Sequence, residues 1–327
     1  MTANRPLQPI RLVAIGGGTG LSTLLKGIRE DLVSAQSGIS LTAIVTVTDD
    51  GKSSGKLREE FSVLPPGDIR NCLVALAGED ESMTQLFRHR FPGDGPIGGH
   101  SLGNLIILAL TQMSGSFLKA IEQASEMLGI NARILPATLE NVDLIARVDK
   151  QLIKGQVAIK TQNGRITELS LNKPEARALP EAIQAIREAD LITLGPGSLF
   201  TSVIAGLLVK ELAQAISNSR AKKIYICNAM TEFDETNGFS ATDHVRTLLD
   251  YAPGLKLDYA LFNSAPISAE MRQRYAVEKA VALEPPGNAP SELSAVNFVS
   301  LPLASESRFV RHDPEKLSKA IFDIYYR

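Results

Sequence analysis

Short apolar runs that end in glycine or polar residues, each giving way to a stretch of helical spacing, recur along this chain. The first run, Ile10–Ile15, breaks into Gly16, Gly17, Gly18, Thr19 and Gly20, and apolar residues return from Leu21 at helical spacing. Leu41–Thr48 is β-branched and apolar, the pattern of a strand covered on both faces. Arg133–Leu135, Asp190–Leu194, Lys223–Cys227 and Leu257–Phe262 predict further strands, and Val296–Leu301 an edge strand. Helices are predicted from Asp68 to about Ala77, after Asn104, over Phe117–Leu128, Pro180–Ala189 and Leu199–Ala215, and from Pro314 to Tyr326 with Asp313 as cap. Val157–Leu171 alternates about Asn163-Gly164, which predicts a β-hairpin forming a lid or a flanking sheet. Glu284–Ser291 reads as a surface loop. The alternation of strand and helix predicts an open α/β fold.

Composition narrows the partners. A chain of 327 residues can bury a large core, and 44% hydrophobic with 21% charged residues is ordinary for a globular protein. A net charge of −2 offers no basic surface for nucleic acid and no basic run for an anionic membrane. Cys72 and Cys227 both sit among apolar residues, as buried thiols of a reducing compartment do. The N-terminal residues lack the apolar core of a signal peptide, and the longest apolar stretches, Leu105–Leu110 and Val203–Val209, are too short to span a bilayer. A cytoplasmic protein without membrane insertion is expected.

The glycine loop is where chemistry is expected. A helix opening after it aims free N–H groups and a positive dipole end at an anion. The dinucleotide fingerprint fails, since Leu21 stands where its last glycine belongs, and no Gly-Lys-Ser/Thr follows to make a P-loop. The unit recurs at Gly195, Pro196, Gly197 and Ser198, with Thr201 and Ser202 in the first turn of the next helix. Between them, the strand ending at Thr48 opens into Asp49, Asp50, Gly51, Lys52, Ser53 and Ser54. Those acids could take a ribose hydroxyl, hold a divalent cation with phosphate oxygens, or form a plain Asp-Gly turn. Asp68 is placed to cap its helix, with Arg70 and Asn71 one turn in. His100 stands in a second glycine-rich loop ahead of Asn104, as a ligand contact or a structural histidine. His89, His244 and His312 lack metal-ligand spacing. Asn228 and Thr231 follow the strand that ends at Cys227, and Glu232–Val245 is expected to cover the site.

GGGTGLS, TVTDDGKSSGKLR, PPGDIRNCLVALA, GHSLGNL, ADLITLGPGSLFTSVI and CNAMTE, in that order, resemble the bacterial gluconeogenesis-factor family from about Arg11 to Phe262. That family is related to 2-phospho-L-lactate transferase, which builds the phospho-lactyl tail of a deazaflavin coenzyme. The resemblance implies a modified Rossmann-like, doubly wound α/β fold with a mostly parallel sheet and a small β-hairpin/helical insertion. One large domain over 1–327 is expected, with the hairpin excursion at 151–175 and a C-terminal edge strand and helix at 284–327. The implied function is to bind a nucleotide sugar of the UDP-N-acetylglucosamine type and to support cell shape and wall morphogenesis during gluconeogenic growth, with no cofactor required. Gly16–Gly20, Leu21 and Gly195–Ser198 are then expected on the diphosphate. Asp49, Asp68, Asn71 and Asn228 are expected on sugar or ribose hydroxyls, and Ser53, Ser54, His100, Asn104, Thr201, Thr231 and Phe239 around the nucleotide. The alternative is a transferase of phosphorus-containing groups with Mg²⁺ at Asp49 and Asp50, for which Asp49, Asp50, Asp68 and His100 are the catalytic candidates. Lys52 stands where the family more usually has glycine, and Phe239 where it has tyrosine. A homo-oligomer is expected, with an enzyme of cell-wall precursor synthesis as protein partner.

Overall fold

The computed structural model describes residues 9–33, 38–79, 81–162, 164–233, 235–287 and 289–327. The first half alternates β1 (Ile10–Gly16), α1 (Gly18–Val33) and β2 (Ile39–Val45), then five helices: α2 (Lys52–Phe61), α3 (Gly67–Leu76), α4 (Ser82–Arg88), α5 (Leu102–Ser114) and α6 (Phe117–Met127). After β3 (Arg133–Pro136) comes an insertion of β4 (Leu144–Val148), β5 (Gln151–Lys154), α7 (Gln156–Thr161) and β6 (Ile166–Leu171). The alternation resumes with α8 (Pro180–Glu188) and β7 (Leu191–Leu194), a π-helical turn at Leu199–Ile204, α9 (Ala205–Leu207), α10 (Lys210–Asn218) and β8 (Lys222–Ile226). The rest is α11 (Ala241–Tyr251), β9 (Tyr259–Asn263), α12 (Ala269–Val277), β10 (Asn297–Leu301), β11 (Ala304–Glu306), β12 (Val310–His312) and α13 (Pro314–Tyr325).

Seven strands form one parallel sheet in the order β10-β9-β8-β7-β1-β2-β3. Its central strands β1 and β7 are largely apolar and buried because helices cover both faces. Alternate side chains divide between two cores: Leu12 and Ala14 of β1 pack with Leu25 and Ile69 on one face, Val13 and Ile15 with Phe200 and Val203 on the other. The chain runs outward from β1 through β2 to β3, returns beside β1 as β7, and runs outward the other way. The strand order therefore reverses between β1 and β7, and in such sheets the crevice for ligands opens beyond the carboxyl ends at that point.

Two expectations give way here. The stretch after Lys154 is no hairpin arm: residues 156–161 are helical, and only β6 continues as a strand. The insertion is a three-stranded antiparallel sheet, β5-β4-β6, whose tight connection is at Asp149 between β4 and β5. Asn163, the expected turn residue, lies outside the described residues. The predicted helix Leu199–Ala215 is broken after Leu207, and its two parts are bent by 78°. Among the described residues no single helix is long and apolar enough to cross a membrane, and Leu199–Leu207 is wholly buried in the core.

The insertion is latched to the main sheet by Arg58 on α2. Its buried guanidinium donates to the Val142 carbonyl at 3.0 Å, to Asp143 at 2.9 Å, and to the Asn141 side chain. Asp50 adds a second latch, accepting the Val157 N–H at 2.8 Å in the first turn of α7.

Candidate functional site

A cleft of about 530 Å³ opens at the β1/β7 switch point. Gly17, Gly18, Thr19 and Gly20 line one wall, where β1 turns into α1. Pro196, Gly197 and Ser198 line the facing wall, after β7. Asp49, Ser53 and Ser54 come from the loop after β2 and the first turn of α2, which has no side-chain cap on its N–H groups. Asp68 and Asn71 of α3, Asn104 of α5, and Asn228 and Thr231 after β8 complete the expected set. Each stands at the carboxyl end of a parallel strand or the amino end of a helix, so backbone dipoles and side chains converge on one space.

The remaining expected residues stand elsewhere, each for a physical reason. Gly16 is the last residue of β1 and accepts the Thr46 N–H at 3.0 Å, while Leu21 is fully buried in the core. Gly195 holds the chain at the end of β7, donating to the Ile15 carbonyl at 2.9 Å. Thr201 is turned away because a protein carboxylate already occupies the helix start that sequence assigned to an external anion. Buried Glu235 accepts the N–H groups of Phe200 and Thr201 at 3.2 and 3.3 Å and the Thr201 hydroxyl at 2.6 Å. His100 lies behind the wall, its Nδ1 at 3.1 Å from Ser53 Oγ, to which Asn104 also donates at 2.9 Å. Burial, then the charge of Lys56, lowers its imidazole pKa, so it supports Ser53 as a neutral ring. Phe239 packs edge-on against Phe200 and His244, with centroids 6.2 and 5.6 Å apart, outside the cleft. Phe239→Tyr is therefore expected to change the affinity of any ligand of this cleft less than twofold in a calorimetric titration.

The acids are arranged differently from the expected Asp49–Asp50 pair. Asp50 turns outward to the start of α7, whereas Asp49 stays inside and accepts the Gly51 N–H at 3.0 Å. The carboxylate that Asp49 faces is Asp68. Asp68 does not cap its own helix; its carboxyl is turned toward the Gly18 N–H at the start of α1 and toward the Asn71 side chain. Burial, then the charge of Asp49, raises it from an ordinary 3.8 to about 6. Asp49, Asp68 and the nearby Ser54 hydroxyl are oxygen donors that suit a hard cation. Among the described residues no group of three or more His, Cys, Asp or Glu makes a complete metal site, so a Mg²⁺ here would need ligand phosphates as further donors.

Sequence reasoning missed the second charged cluster. Lys160, on α7, reaches the cleft and donates to Ser198 Oγ at 3.0 Å, with Glu235 at 3.6 Å. Burial alone would lower its ammonium, but Glu235, Glu232 and Asp68 outweigh that and raise it. Glu232 reaches the cleft surface yet is enclosed by protein on most sides. Burial, then the charge of Glu235, lifts it from an ordinary 4.5 to about 7. Asn228 bridges this cluster to the glycine loop, donating to Glu232 at 3.1 Å and accepting the Gly197 N–H at 3.3 Å. Tyr275, Phe309 and Arg311, from α12 and the β11–β12 hairpin, form a rim that the sequence reading also left out. No local signal marks Lys160 or Glu235, whose hydrogen-bond partners Ser198, Phe200 and Thr201 lie 34 or more positions away in sequence.

A crevice at the switch point of an all-parallel sheet, walled by two glycine loops, defines a doubly wound α/β protein with an open cleft between its halves. The sequence matches the family model of 2-phospho-L-lactate transferase CofD over residues 12–299. It is 42% identical over 319 residues to a putative gluconeogenesis factor of Nostoc sp., covering 96% of this chain and 68% of that protein. It is also 42% identical to a putative gluconeogenesis factor of Thermotoga maritima, covering 95% of this chain and 98% of that one. A crystal structure of a UPF0052-family protein from Bacillus halodurans superposes with a TM-score of 0.88 at 38% identity, covering 97% of this chain and all of that one. The chain belongs to the gluconeogenesis-factor family, within the wider CofD family.

Proposed function

We propose that this protein binds a nucleotide sugar of the UDP-N-acetylglucosamine type in the switch-point cleft and acts as a regulator of cell-wall synthesis and cell shape. The observation that carries the reading is the convergence of the glycine turn into α1 and the uncapped amino end of α2 with the Gly197-Ser198 turn, a geometry suited to two linked phosphates. Asn71 and Asn228 present amide groups for sugar or ribose hydroxyls, and Asp49 a carboxylate. A regulator of this kind needs no turnover, and its partner in the cell would be an enzyme of wall-precursor synthesis, engaged by a homo-oligomer in the cytoplasm.

The inward pair Asp49 and Asp68 favours a second reading, transfer of a phosphorus-containing group. In that reading the two carboxylates hold Mg²⁺, which neutralises charge developing on the phosphate. Calorimetric titration with UDP-N-acetylglucosamine, NAD and GDP, with and without Mg²⁺, separates the two. Selective, Mg²⁺-independent heat from the UDP sugar is expected. No UDP-sugar binding at millimolar ligand sinks the first reading, and Mg²⁺-dependent binding of GDP alone supports the second.

A further inference from the structure

Lys160 is a charged group of the cleft whose bonding is left incomplete. An ammonium carries three donors. One is spent on Ser198 Oγ at 3.0 Å, and Glu235 at 3.6 Å is a charge partner beyond hydrogen-bond range. Glu235 is itself held by Phe200 and Thr201, which fixes its carboxylate at that distance from the ammonium. Lys160 lines the cleft beside Gly197 and Ser198, and the glycine loop at the start of α1 lines the same space. A phosphate arriving at α1 also meets Asp68, whose charge opposes it. A cation close enough to offset Asp68 is needed there, and Lys160 interacts with Asp68, Glu232 and Glu235 together.

We propose that Lys160 is a ligand-binding residue that holds the diphosphate of the bound nucleotide against the two glycine loops. This rests on the nucleotide-binding reading above and assigns a group within it. The lysine arrives from the insertion, not from the main sheet. Its helix is fixed at the first turn by Asp50, through Val157 N–H at 2.8 Å. Asp50 is thus a positioning residue that acts on the ligand only through Lys160.

The test is titration of the full chain with UDP-N-acetylglucosamine, GDP and inorganic pyrophosphate, each variant's fold being checked by thermal melting. Lys160→Met is expected to raise Kd at least tenfold and to flatten its dependence on salt, while Lys160→Arg keeps most of the affinity. Should Lys160→Met fail to fold, Lys160→Gln, which retains a donor for Ser198, carries the same expectation. Asp50→Ala is expected to weaken binding three- to tenfold in the wild-type background and not at all in Lys160→Met, the non-additivity that marks action through the lysine. An unchanged Kd in folded Lys160→Met overturns the proposal while leaving the nucleotide site standing. If pyrophosphate or GDP binds through Lys160 and the UDP sugar does not, the UDP-sugar reading fails and the lysine's role stands. If none of the three binds the wild type, both fall.

Discussion

Gly20→Ala is expected to lower stability by about 3 kcal/mol and to abolish nucleotide binding. A Cβ at residue 20 would lie 2.6 Å from the Pro196 carbonyl carbon and 2.7 Å from Gly197 Cα, with the Pro196 oxygen nearer still. All three obstacles are backbone, so no side chain can rotate aside, and the two glycine loops must separate. Alanine's helix propensity exceeds glycine's by about 1 kcal/mol, which offsets only part of that cost. Gly16→Ala is the control. Its Cβ would meet nothing closer than Leu21 Cβ at 3.6 Å, an ordinary contact, and its stability is expected to stay within about 1 kcal/mol of wild type. Urea denaturation of both variants decides the matter; a Gly20→Ala midpoint equal to wild type would mean that the loops do not touch.

Asp68→Asn is expected to act in the opposite direction, raising stability by about 2 kcal/mol at pH 7.5. The carboxyl titrates near 3.8 when exposed and near 6 when folded, so the folded state binds its proton more tightly. Ionised Asp68 therefore costs stability, fully above about pH 7 and less as pH falls through 6. Below about pH 4 both states are protonated and the penalty is gone. Asparagine keeps an acceptor for the Gly18 N–H without the charge. Thermal melts across this range should converge near pH 4 and diverge upward; a lower melting temperature for Asp68→Asn at pH 7.5 would refute the account. A carboxylate kept where an amide would be more stable is the usual mark of a site under functional demand.

The central parallel strands were legible because burial on both faces makes β1 and β7 apolar over most of their length, and the glycine loops because they interrupt those runs. Pairing of distant segments left no such trace. Val157 and Ile159 alternate as a strand would, yet the segment is helical, and the acid bonding its first turn lies 107 residues earlier. Glu235 sits in a polar stretch indistinguishable from a surface cover, and only the fold places it under a helix start 34 residues upstream. Asp50 follows the same logic: adjacent to Asp49 in sequence, it serves another element. At one of the two helix starts where loop and helix implied an external anion, the protein supplies its own carboxylate, Glu235.

The reversal of strand order also sets a schedule. Arg11 and Asp190, bonded across β1 and β7, lie 179 residues apart. At roughly 5–20 residues per second of synthesis, the second glycine loop leaves the ribosome on the order of ten seconds or more after the first. Through that interval β1 has β2 on one side and no neighbour on the other. The crevice comes into being only when β7 enters the middle of a half-built sheet, which makes its formation a late, long-range step.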